Sequence, residues 1–269
     1  MHEVKKILSY LCKPDFVAKA LFQQYSRYKR IKNDKEYWIS IRNKHYGQAG
    51  IVVGNGPSLQ IEDLTKISKK KIVTIASNKI YLAFAHTDWR PDYYTVADPL
   101  VWEKVKNNIH DDIKVVYIPD YLDPADCIQT VKTWKSLKNN FQENLTNISN
   151  DISQGAKAGY TITYENIQLA IHLGLNPIYL IGCDHFYEGE TKVDKDVKIV
   201  QTSDKTHFIN NYREIGEVVY PAPIEIMTKA YKIAKLYSDK TDTKILNATR
   251  GGYLEVFEKI NLDKVLSNE

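Results

Sequence analysis

The sequence predicts an α/β fold built on a doubly wound, mostly parallel sheet, and three observations predict it. Short, continuous apolar runs such as GIVV, IKVVYIP and PIYLIGC recur along the chain, as strands buried on both faces require. Segments with helical spacing of apolar residues separate them, and alternation of this kind implies right-handed crossovers between parallel strands. Polar, hydrogen-bonding residues then follow nearly every strand, where ligands of such sheets bind.

The elements follow in order. GIVVGNG is a strand ending in a turn. Residues 59–68 form a helix through Leu59, Ile61, Leu64 and Ile67. KIVTIASN (71–78) is a second strand and DYYTVADP a third ending near Asp98, followed by a helix bearing Val101, Trp102 and Val105. IKVVYIPD (113–120) is a fourth strand, and residues 121–155 read as irregular. TYENIQLAIHLG is a helix stopped by Gly174 at its C′ position, and PIYLIGCD is a fifth strand. A polar segment at 188–220 reads as a lid. A helix at 224–238, the strand TKILNAT and a last helix complete the domain.

The first 48 residues stand apart. They carry eleven Lys/Arg against four Asp/Glu, a net of +7, whereas the whole chain is +4. This reads as a basic helical extension (1–48) before a domain spanning 49–269. It reads first as a solvated helix pair with one packed face and second as a peripheral contact with an anionic membrane, which its charge suits better than nucleic acid. The three cysteines form no CxxC pair, which argues against a zinc or disulfide framework and for a reducing compartment. The apolar run at the N-terminus is too short and too charged for a signal peptide or spanning helix, so a cytoplasmic location is expected, peripheral to the inner membrane face.

The turn after the first strand, Gly54-Asn55-Gly56-Pro57-Ser58, suits a nucleotide phosphate. Its glycines permit close backbone approach, and Pro57 and Ser58 would open a helix whose N–H groups attract an anion. The third glycine of the dinucleotide fingerprint is missing, and no acidic residue ends the second strand, so NAD is excluded; no P-loop occurs. The other strand ends supply Ser77 and Asn78, Asp98, Asp184 and His185, and Asn247 with Thr249.

GNGPSL after a strand, an SN-containing second strand and IYLIGCDHFY resemble bacterial lipooligosaccharide sialyltransferases. Together with RPDYYTVADPLV and ILNATRGGYLEVF, they resemble still more the hydroxymethylpterin pyrophosphokinase-like (MptE-like) family, over about residues 48–260. The sialyltransferase resemblance implies a Rossmann-like domain binding a CMP-sugar without a metal. It implies that Asn55 contacts the donor phosphate and ribose region, that Asn78 lies on the ribose or cytidine side, and that Thr161 contacts phosphate. Asp98 stands where those enzymes have Asn, which leaves room for Mg²⁺ held by Asp98 and Asp184. Tyr220 stands near the place of their catalytic histidine, so His207 and His185 become the candidate bases.

Three functions follow. The first is a glycosyltransferase using a CMP-activated sugar, with no required cofactor and a glycan or lipid-linked acceptor in cell-surface polysaccharide synthesis. The second is an ATP- and Mg²⁺-dependent pyrophosphokinase. The third is a nucleotide-binding protein that has lost its base. Oligomeric state is left open.

Overall fold

The computed structural model describes residues 14–268 except 108, 126, 140, 142–147, 187–189, 194–197, 202–205, 215 and 221. In chain order its elements are α1 (Pro14–Ile41), β1 (Gly50–Val53), α2 (Ile61–Ile67), β2 (Val73–Ser77), a 3-10 segment (Asn78–Ala85), β3 (Tyr93–Thr95) and α3 (Pro99–Val105). Next come β4 (Val115–Pro119), β5 (Thr130–Trp134), β6 (Ser136–Leu137), β7 (Ala156–Lys157), α4 (Ile162–His172), β8 (Ile178–Ile181), β9 (Glu190–Val193) and β10 (Lys198–Gln201). Last are β11 (Val218–Val219), α5 (Ile224–Lys240), β12 (Ile245–Asn247), β13 (Glu258–Lys259) and α6 (Leu262–Asn268).

Eight strands form the main sheet in the order β13-β12-β8-β1-β2-β3-β4-β5. Every pairing in it is parallel. The chain winds outward from β1 in one direction through β5, then returns to place β8 on the other side of β1. The β1/β8 boundary is therefore the switch point where a crevice opens beyond the strand ends. Alternate residues of each strand face opposite layers. Val52, Ile75, Tyr117 and Leu180 pack with α1, α4 and α5. Ile51, Val53, Val116 and Ile181 pack with α2, α3 and α6.

Helix α4 ends as its sequence predicts, with Gly174 at φ 77 accommodating the left-handed turn. Four other expectations are revised. The stretch 121–155 contains β5 and β6, and β5 pairs with the whole of β4. Its period is faint because it is an edge strand whose first residues are exposed and half-buried. The polar segment 188–220 contributes β9, β10 and β11 to a small antiparallel sheet. A two-residue parallel strand, β13, extends the main sheet past β12. The helix predicted from residue 59 starts at Ile61, so Pro57 and Ser58 lie before it.

Helix α1, within the described part of the basic extension, is built into the domain. Trp38 and Ile41 of α1 sit in the main core. The outer edge of β5 is closed by α1 side chains: Trp38 Nε1 donates to Thr133 O at 2.8 Å, and Thr133 N donates to Asp34 Oδ2 at 2.8 Å. An open strand edge would invite pairing with another chain, and here side chains consume its donors and acceptors. No helix among the described residues is long and apolar enough to cross a membrane.

Candidate functional site

A cleft of about 920 Å³ opens beyond the carboxyl ends of the strands. Its floor is the β1/β8 boundary, where two turns pack backbone to backbone. Gly54 N donates to Ile181 O at 2.8 Å and Gly56 N to Gly182 O at 2.9 Å. A Cβ at Gly54 would lie 2.3 Å from Gly182 O, and one at Gly56 would lie 1.9 Å from Asp184 Oδ2. Neither glycine has a positive φ. The GNG glycines are thus required by the neighbouring turn, whereas the sequence suggested close approach to a ligand.

Asp184 completes this junction. Its Oδ2 accepts from Ser58 Oγ at 2.8 Å and from Ser58 N at 3.4 Å. The protein's own carboxylate occupies the backbone donor that the sequence reading had offered to a phosphate. Burial raises the Asp184 pKa, opposed by these hydrogen bonds. Asp98 is likewise engaged: Oδ1 caps α3 by accepting from Leu100 N at 2.7 Å and Val101 N at 3.2 Å, with Pro99 opening the helix. Among the described residues, no group of three or more His, Cys, Asp and Glu gathers as a metal cage.

Gly54, Asn55, Gly56, Ser77, Asn78, Asp98, Thr161, Asp184, His185, His207 and Tyr220 all border the cleft. Ser58, Asn247 and Thr249 do not. Asn247 is buried, its Nδ2 donating to Leu254 O and its Oδ1 accepting from Thr249 N. Thr249 Oγ1 in turn accepts from Cys183 N. These two residues brace the turn after β8 from behind.

Asn55 and Asn78 present acceptors. Asn55 Nδ2 donates to Ser77 O at 3.2 Å, which orients the amide and leaves Oδ1 buried without a partner. Asn78, at φ 57, also has a buried Oδ1 without a partner. A lone pair kept from water and unmatched by protein is costly, so these atoms suit a ligand that donates.

The histidines differ sharply. The single hydroxyl proton of Thr228 goes to Ile224 O at 2.8 Å, so His185 Nε2 must donate to Thr228 Oγ1, also at 2.8 Å. That fixes the tautomer and leaves His185 Nδ1 an acceptor, buried and without a partner. Burial lowers the His185 pKa, keeping the ring neutral. His207 stacks on Tyr212 with ring centroids 3.9 Å apart. Burial, with the charges of Arg213 and Lys79, pushes its pKa down to about 3, which makes it a feeble base. Tyr220 is 43% exposed at the rim. Thr161 caps α4, its Oγ1 accepting from Thr163 N.

Residues 206–214 and 216–219 form a wall held to the 3-10 segment and to the turn after β1. Lys79 Nζ donates to Tyr212 O at 2.7 Å and lies 3.7 Å from Glu217, which also meets Lys104 at 2.6 Å. Phe208 N donates to Asn55 O at 3.1 Å. Lys79, Lys138 and Arg213 put positive charge on the cleft wall.

Sequence reasoning missed Glu165, buried in the first turn of α4 and bordering the cleft. An acidic residue there is ordinary for a helix start, so nothing local singles it out. Burial raises its pKa from 4.5 to about 8, and at neutral pH it is mostly protonated. A carboxyl whose folded pKa exceeds its unfolded one stabilises the fold fully below pH 4.5. That contribution is lost as pH rises toward and through 8. Glu165→Gln should therefore flatten the fall in melting temperature between pH 5 and pH 8.5, as measured by calorimetry across that range. An unchanged slope would mean that Glu165 is ionised in the fold.

Residues 12–190 match the family described as 6-hydroxymethylpterin diphosphokinase MptE-like. No curated protein and no solved structure matches the chain.

Proposed function

The chain belongs to the MptE-like family, and from that premise we propose that it is a group transferase whose cleft binds an activated nucleotide, with a CMP-activated sugar as donor. The pair of unpartnered amide oxygens on Asn55 and Asn78 carries this reading. A phosphate oxygen cannot donate to them. The hydroxyls of a ribose can, so the ribose is assigned to the ends of β1 and β2. The phosphate then falls between the cations of the wall and the N-terminus of α4 at Thr161. Glu165, held protonated at neutral pH, adds no negative charge beside it.

In this reading His185 Nδ1 is the base. It takes the proton of an acceptor hydroxyl as that oxygen bonds to the anomeric carbon. The bond from that carbon to the phosphate oxygen breaks, and its electron pair leaves with CMP. One such displacement inverts the anomeric centre. The donors around the phosphate stabilise the departing charge. The acceptor is a glycan or lipid-linked hydroxyl of a cell-surface polysaccharide.

A second reading, suggested by the diphosphokinase in the family's description, is diphosphate transfer, with ATP as the donor. Mg²⁺ would then neutralise the transferring phosphates. Asp98 and Asp184 would hold it, each through the carboxylate oxygen that does not accept from backbone N–H.

Thermal shift with CMP, CDP, GDP and ATP, each with Mg²⁺ or EDTA, separates the two. CMP at a hundredfold excess over Kd should stabilise the wild type by about 2.7 kcal/mol regardless of EDTA. Asn55→Ala and Asn78→Ala should each reduce that response. Stabilisation by ATP with Mg²⁺ alone would reject the CMP-sugar donor.

A further inference from the structure

The first half of α1 carries an apolar stripe that the domain does not cover. Leu21, Phe22, Tyr25 and Tyr28 are 61%, 70%, 62% and 61% exposed, and Val17 is exposed beside them. Val17, Leu21, Tyr25 and Tyr28 follow one another at helical spacing along a single face, and the same line continues through Lys32 and Lys35. The opposite face docks on the domain. Arg27 pairs with Asp120, Arg30 donates to Asp120 O and Leu122 O, Asp34 and Trp38 close β5, and Ile41 is in the core. The stripe is therefore no by-product of packing.

Position adds meaning. His45 meets Tyr93 at the start of β3, whereas Arg27 and Arg30 meet residues just past the end of β4. The helix thus runs antiparallel to the strands. Residues 14–26 continue beyond the carboxyl ends, toward the side on which the cleft opens, for about 20 Å at the α-helical rise.

We infer that this face of α1 docks on an anionic lipid bilayer, setting the cleft mouth against the membrane surface. Charge selects this occupant. Lys19, Lys29, Lys32 and Lys35 are exposed, and among the described residues no carboxylate pairs with them. Residues 1–48 carry a net +7, so a second copy would bring like charge against like, whereas anionic headgroups supply the complement. Two tyrosines in the stripe suit the headgroup region, where a ring with a polar tip is favoured. The inference stands on the helix alone and does not depend on which nucleotide the cleft takes.

The experiment is sedimentation of the full chain with vesicles of phosphatidylcholine alone, or with roughly one third phosphatidylglycerol. Binding should be about tenfold or more tighter on the anionic vesicles and should fall as salt is raised. The double variant L21E/F22E should abolish it while melting at the wild-type temperature, since both side chains are exposed. Replacing Lys29, Lys32 and Lys35 with Gln should weaken it by roughly fivefold per lysine. Failure to sediment, or equal binding to both vesicle types at all salt concentrations, overturns the inference. So does a concentration-dependent dimer, seen by light scattering, that L21E/F22E disperses, because the stripe would then belong to a second copy.

Discussion

Gly54→Ala is expected to cost about 3 kcal/mol and to lower the melting temperature by roughly 6 to 9 °C. The added Cβ would sit 2.3 Å from Gly182 O, 2.8 Å from its carbonyl carbon and 3.0 Å from Cys183 Sγ. Two of those atoms are backbone, so no rotamer change relieves the clash. Nor can the turns separate cheaply, because the hydrogen bonds from Gly54 N and Gly56 N tie them together. Whatever relief occurs must widen the β1/β8 boundary and displace Asn55. The variant should therefore also lose its response to nucleotide. Urea unfolding monitored by circular dichroism, followed by the thermal-shift panel, measures both effects. A melting temperature within a degree or two of wild type would show that the junction is looser than these contacts require.

Trp38→Ala should destabilise by about 4 kcal/mol, among the larger effects available in this core. The indole is 2% exposed. It packs against Tyr117, Trp134 and His172 with centroids 5.5, 6.4 and 6.1 Å away. Its loss leaves a cavity and strips Thr133 O of its donor. Trp38→Phe keeps most of the packing and removes the hydrogen bond, so its cost should be nearer 1–3 kcal/mol. The comparison also tests whether residues 1–48 form a separate appendage. A dispensable extension would tolerate Trp38→Ala with almost no change in the urea midpoint, which is the outcome that would refute the packing described here.

Much of the fold was legible because alternating burial leaves a local trace. The runs GIVV and IYLI are apolar because both faces of their strands are covered, and this holds whatever the strand order. Gly174 could be read as a helix stop from its place after a periodic segment. Asp98 could have been read as a helix cap from the following proline, a signal the family comparison drew toward metal binding instead. β5 was illegible because its partners are one strand and a helix that the sequence had set aside.

By itself the sequence determined the α/β class and pointed to the strand ends, and it named Asn55, Asn78 and His185, which border the cleft found there. Tertiary structure alone decided what those residues are free to do. Asp184 meets Ser58 across 126 positions, and Thr228 fixes the His185 tautomer across 43. Only the placement of β8 beside β1 makes the GNG turn a packing junction. Glu165 became notable only through burial. The physical reason is the same in each case. Periodicity records whether a residue is covered, whereas charge state and hydrogen-bond capacity depend on which distant atoms cover it.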